Sequence, residues 1–149
     1  MKSKSLENIC VPLTIINCNQ YLDILNKIRK ATAKIVIVQI DGLKEDDPVV
    51  ETAKQLMILE KQEIVDKWFG TIAPGRKAVQ YTFQKKREFF GYLSTFESFF
   101  IVKSENPYVV EETDFGMDDI AFLDQNGELL FYTTTHEGYA YLNERFIGE

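Results

Sequence analysis

The stretch from Asp119 to Asn143 limits the possible folds more than any other, because it carries the clearest hairpin signal in the chain. Ile120 and Phe122 lie in one run rich in β-formers, Leu129 and Phe131 in the next, and Gln125-Asn126-Gly127 joins them. Asn-Gly accepts the positive φ angles of a tight turn, so two apolar runs around it read as paired antiparallel strands. Phe131, Thr133 and Thr135 alternate with Tyr132, Thr134 and His136. That period of two predicts one face against a core and one toward solvent. A second reversal at His136-Glu137-Gly138 leads into Tyr139-Ala140-Tyr141-Leu142, completing a three-stranded meander. Tyr139, Leu142 and Phe146 also match helical spacing, so a closing helix is the competing reading.

Upstream, Val11-Pro12-Leu13-Thr14-Ile15-Ile16 reads as a short strand that Pro12 confines to a sheet edge or a strand start. Asn17 or Asn19 is placed to cap a helix whose inner stripe is Tyr21, Ile24, Leu25 and Ile28. Lys34 to Asp41 is nearly continuous in β-branched residues, the pattern of a strand buried on both faces. Asp47 as cap and Pro48 in the first turn open a second helix through Val49, Ala53, Leu56 and Met57. Ile64, Val65, Trp68 and Phe69 are expected to prolong it, with a strand over 63–69 as the alternative. Pro74-Gly75 marks a turn, and residues 78–84 alternate as a half-buried strand. Phe89, Phe90, Leu93, Phe96, Phe99 and Phe100 fit a helix to about Ser94 followed by a strand through Val102, or two strands. Ser104 to Asp118 is the longest unpatterned segment.

These elements predict an α+β fold, a single-layer, mostly antiparallel sheet with helices packed on one face. With 149 residues and no internal repeat, one globular domain over 1–149 is expected, with residues 1–10 loose. Apolar residues make up 45% of the chain, enough for a core without disulfides. The two cysteines, Cys10 and Cys18, lack any zinc-ligand spacing and read as reduced thiols. No cofactor or metal is expected. The net charge of −6 disfavours nucleic acid and anionic membranes as partners and suits a basic protein. Without a signal-peptide pattern or a long apolar run, the chain reads as cytoplasmic.

Two functional classes fit. The first is a protein-binding module, of an inhibitor or immunity type, that masks a basic partner. Its contacts are expected at Tyr108, Glu111, Glu112, Asp114, Phe115, Asp118 and Asp119, where acids supply steering and rings supply anchors. The second is a small hydrolase-like enzyme with His136, the only histidine, as general acid or base beside Glu137, with Tyr139 or Tyr132 nearby. No third group of a nucleophilic triad is visible, and adjacent strand residues point to opposite faces. A thiol–imidazole pair of Cys18 with His136 has no local signature. The acids of 111–119 lack the alternating oxygen ligands and central glycine of a calcium loop. Arg76, Lys77, Lys85, Lys86 and Arg87 read as charged strand ends rather than an anion site. The rings of Phe89 to Phe100 are either core or the lining of a small-molecule sensor.

Overall fold

The computed structural model describes residues 9–13, 15, 17–40, 47–69, 71–72, 77–103, 109–111, 113, 115–116 and 118–147. Within them the elements run β1 (Cys10–Leu13), α1 (Cys18–Ile28), β2 (Lys34–Gln39), α2 (Pro48–Leu56), β3 (Ile58–Val65), β4 (Lys67–Trp68) and β5 (Thr71–Ile72). There follow β6 (Ala78–Gln84), α3 (Arg87–Leu93), β7 (Ile101–Lys103), β8 (Val109–Glu111), β9 (Asp119–Leu123), β10 (Leu129–Thr134) and β11 (Tyr139–Asn143). A seven-stranded sheet has the order β1-β11-β10-β9-β2-β6-β3, and every neighbouring pair is antiparallel. Two ribbons, β4–β5 and β7–β8, stand outside it. The fold is therefore α+β with a mostly antiparallel sheet. Among the described residues, no helix is long and apolar enough to cross a membrane.

The meander forms as the turn chemistry dictates. Asp124 Oδ1 accepts the N–H groups of Asn126 and Glu128, both at 2.9 Å, and Gly127 takes φ 81°. The third strand is β11, with only a short 3-10 turn at Glu144–Phe146 after it, so the helical alternative does not occur. Pro12 sits in β1 at the outer edge of the sheet, where its missing N–H disturbs no inner ladder. Cys10, expected in a loose segment, is buried in β1 opposite Asn143.

The helices start where the sequence places them. Asn17 and Gln20 form a reciprocal capping box on α1, and Asp47 accepts from Val50 N–H with Pro48 at the first position of α2. Residues 58–65 depart from expectation: they form β3, and the helix stops at Leu56. Met57 is already extended at φ −130° and ψ 172°, and the following residues ladder onto β6 from Gln84 to Ala78. The helix-forming tendency of Glu60, Lys61 and Gln62 is a weak preference, and the otherwise unpaired edge of β6 overrides it. Residues 101–103 and 109–111 pair as β7 and β8, so part of the unpatterned segment is regular. Asp41-Gly42 and Pro74-Gly75 lie outside the described residues.

Two apolar clusters flank the sheet. Ile35, Ile37, Tyr81, Phe83, Phe122 and Phe131 share one with Tyr21, Ile24, Ile28, Val49, Ala53, Phe89 and Leu93. Val36, Val38, Ala78, Ala121 and Tyr132 share the other with Trp68, with Phe69 and Tyr141 packed against it. All six residues of β10 are buried, which corrects the expectation that one of its faces meets water. The ring of Tyr132 is covered by Tyr141 at 4.6 Å and by Phe69 at 6.4 Å.

Tyr21 is fully buried and donates its hydroxyl proton to the Leu93 carbonyl, and burial pushes its ionisation far above the ordinary tyrosine range. Burial also raises Tyr81 and Tyr141. A raised folded-state value means that stability is fully present below the unfolded tyrosine pKa of about 10 and declines as pH climbs beyond it. Thermal unfolding followed from about pH 8 to 11 is expected to show a flat Tm and then a steep fall. Tyr21→Phe is expected to make that fall shallower, and an unchanged slope would contradict the assignment.

Candidate functional site

Of the acids singled out in the sequence, Asp118 and Asp119 meet Thr135 where β9 begins and β10 ends. Asp119 is 2% exposed. Its Oδ2 accepts the indole N–H of Trp68 and its Oδ1 accepts the backbone N–H of Thr135, both at 2.8 Å. Beside it, the Ile120 N–H donates to Thr133 Oγ1 at 3.2 Å, and Thr135 Oγ1 donates to the Asp118 carbonyl at 2.7 Å. The 2.8 Å contact between the two threonine hydroxyls then has Thr133 as donor, because the Thr135 proton is already committed. Backbone N–H, two hydroxyls and a carbonyl thus form one relay, in which each bond polarises the next.

That network holds the back of a 3-10 turn, Thr135–Glu137, which contains His136. Gly138 follows at φ 75°, a left-handed conformation that lets the chain reverse into β11. The front of the turn opens on a groove of about 410 Å³ lined by Pro12, Leu13, Ile15, Val102, Glu137, Gly138 and Tyr139. Glu137 is exposed, and Tyr139 shows 53% of its surface. The volume is in the range that accommodates a small ligand or a large side chain. Under the β4–β5 ribbon, a second cavity of about 10 Å³ touches Trp68, Phe69 and Asp119. That space suits a water at most.

The expected contact residues separate. Phe115 is not an exposed anchor; it is 1% exposed and meets Phe99 edge to face at 4.9 Å. Asp118 and Asp119 are buried rather than presented to a partner, and the Asp119 carboxylate serves there as the acceptor that a backbone and an indole donor need. Glu111 lies on β8. Tyr108, Glu112, Asp114 and the side chains of Glu111 and His136 lie outside the described residues. Among the described residues, Glu137 alone of the expected contact and catalytic residues lines the groove. Phe89, Phe90, Phe96, Phe99 and Phe100 are all buried and pack into the first cluster, so the space a sensor pocket would need is filled by the rings themselves.

Among the described residues no group of three His, Cys, Asp or Glu side chains could hold a metal ion. Neither Cys10 nor Cys18 is in a disulfide among the described residues, and the Cys10 thiol donates to the Leu129 carbonyl at 3.6 Å. The sequence reading missed Pro12, Leu13, Ile15 and Val102 as neighbours of the turn, since two distant segments supply them. For Trp68 a signal existed: a buried indole N–H requires an acceptor. Comparison with protein-family models, curated proteins and solved structures finds no match to this chain.

Proposed function

We propose that this chain is a protein-binding module whose docking site is the groove between the end of β1, β7 and the Thr135–Glu137 turn. The observation that carries the reading is the pairing of an apolar trough with a carboxylate on a turn fixed from behind. Leu13, Ile15, Val102 and Tyr139 offer contact for an apolar side chain, and Glu137 offers a charge for a neighbouring Lys or Arg. The net charge of −6 favours encounter with a basic protein, as an inhibitor or immunity-type factor of the cytoplasm would meet. A turn locked by buried hydrogen bonds binds with little ordering cost. We also infer that the three helices lie together on one face of a single layer, since their buried side chains share the cluster containing Ile35, Ile37 and Phe122.

Affinity capture from the source cell tests this reading with three baits. The unaltered chain is expected to retain one stoichiometric basic partner, released as salt rises. Tyr139→Ala is expected to weaken retention about thirtyfold, the loss typical of a truncated aromatic anchor. Glu137→Lys is expected to reverse the charge preference and release the same partner. Equal retention by all three baits, or no stoichiometric partner at low salt, would overturn it.

A further inference from the structure

At the other end of the sheet from the groove, β3 runs for eight residues with its outer edge unpaired among the described residues. Most of it faces water, and it holds three of the large exposed apolar side chains: Ile58 at 50%, Leu59 at 36% and Ile64 at 69%. An edge of this length presents backbone donors and acceptors to any passing strand. Two features deter indiscriminate pairing: the irregularity between Leu59 and Lys61, and the charges of Glu60, Lys61 and Glu63. We propose that the strand meeting this edge is β3 of a second copy, paired antiparallel about a two-fold axis at Gln62.

The register follows from symmetry and charge. In an antiparallel pair, opposed residues alternate between hydrogen-bonded and non-hydrogen-bonded sites. A two-fold axis maps each opposed pair onto one of the same kind, so it must pass where a residue faces itself. An axis at Glu60, Lys61 or Glu63 sets like charges against each other, which destabilises a strand pair. Gln62 is the neutral residue at the middle of the run, and its amide both donates and accepts toward its own copy. With Gln62 on the axis, Lys61 of each copy faces Glu63 of the other. Lys61 and Glu63 already lie 3.3 Å apart on one strand, so four charges would alternate in sign around a square. In this register Val65 of one copy faces Leu59 of the other, and Ile64 faces Glu60 with Ile58 as its diagonal neighbour. Glu60 remains engaged within its own chain, by Lys34 at 3.1 Å and Gln84 at 3.0 Å. The dimer would be one continuous sheet with a groove at each far end, so this inference stands whether or not the groove binds a protein.

Two experiments test the axis. In a chain carrying Cys10→Ala and Cys18→Ala, Gln62→Cys is expected to form a disulfide-linked dimer under mild oxidation. Opposed strand Cα atoms lie about 4.5–5.5 Å apart, within disulfide reach. Ile64→Cys, whose copies are far apart in this register, is expected to stay unlinked. In sedimentation measurements the unaltered chain is expected to show a monomer–dimer equilibrium. Lys61→Glu and Glu63→Lys are each expected to weaken self-association about tenfold or more, and their equimolar mixture to form a heterodimer. A chain that stays monomeric up to about millimolar concentration would overturn the proposal. So would a dimer in which Gln62→Cys does not link, or one indifferent to both charge reversals.

Discussion

Phe99→Ala is expected to lower unfolding stability by about 3–5 kcal/mol, the range for removing a fully buried phenylalanine. Its ring meets Tyr21 at 4.9 Å, Phe115 at 4.9 Å, Phe131 at 5.8 Å and Phe122 at 6.4 Å, so it joins α1, the sheet and the segment before β9. The neighbours come from separate elements and cannot all close on the vacated space, so both transfer energy and cavity cost are lost. Against a typical total of about 5–15 kcal/mol, that loss brings the variant close to unfolding. Urea titration measures it, with Leu59→Ala on the exposed edge as a control expected within about 1 kcal/mol of the unaltered chain. A Phe99→Ala loss no larger than the control's would show that the aromatic cluster is not the centre of the core.

Asp119→Ala is expected to cost about 2–5 kcal/mol, because it leaves the Trp68 indole and the Thr135 amide without their shared acceptor in a buried site. Asp119→Asn is expected to recover only part of this, since its amide nitrogen turns a donor toward one of the two N–H groups. Trp68 is the only tryptophan in the chain, so its fluorescence reports the site directly. A red-shifted emission and a lower Tm are expected in both variants. Losing the Thr135 contact also frees the turn that carries Glu137, so partner retention is expected to drop with Asp119→Ala even below the melting transition. An unchanged spectrum and Tm would contradict the role given to the carboxylate.

Local signals made much of the fold legible. Asn126-Gly127, the Asn17 alternative of the two cap candidates, Asp47-Pro48 and the β-branched run beginning at Lys34 each act within a few residues, and each formed, the strand ending at Gln39 rather than Asp41. β3 was less legible, because Glu60, Lys61 and Gln62 favour a helix and their strand geometry comes from β6, far along the chain. The acids near residue 119 read as a solvated surface for a similar reason. Charge alone does not show that Asp119 closes the hydrogen-bonding needs of an indole supplied by Trp68. The groove was invisible because Leu13, Val102 and Tyr139 meet only after the sheet has formed. Glu137 and Tyr139 are legible at that site through their place near the histidine in the sequence.

The most direct test of the docking site is photocrosslinking in the source cell, with a benzophenone side chain placed at Tyr139 on the groove or at Asn26 on the exposed side of α1. The expected result is one basic protein joined covalently to the Tyr139 probe, none to the Asn26 probe, and loss of the adduct when Glu137→Lys is added. Adducts of equal yield from both positions, or a partner captured only from Asn26, would contradict a binding site in the groove.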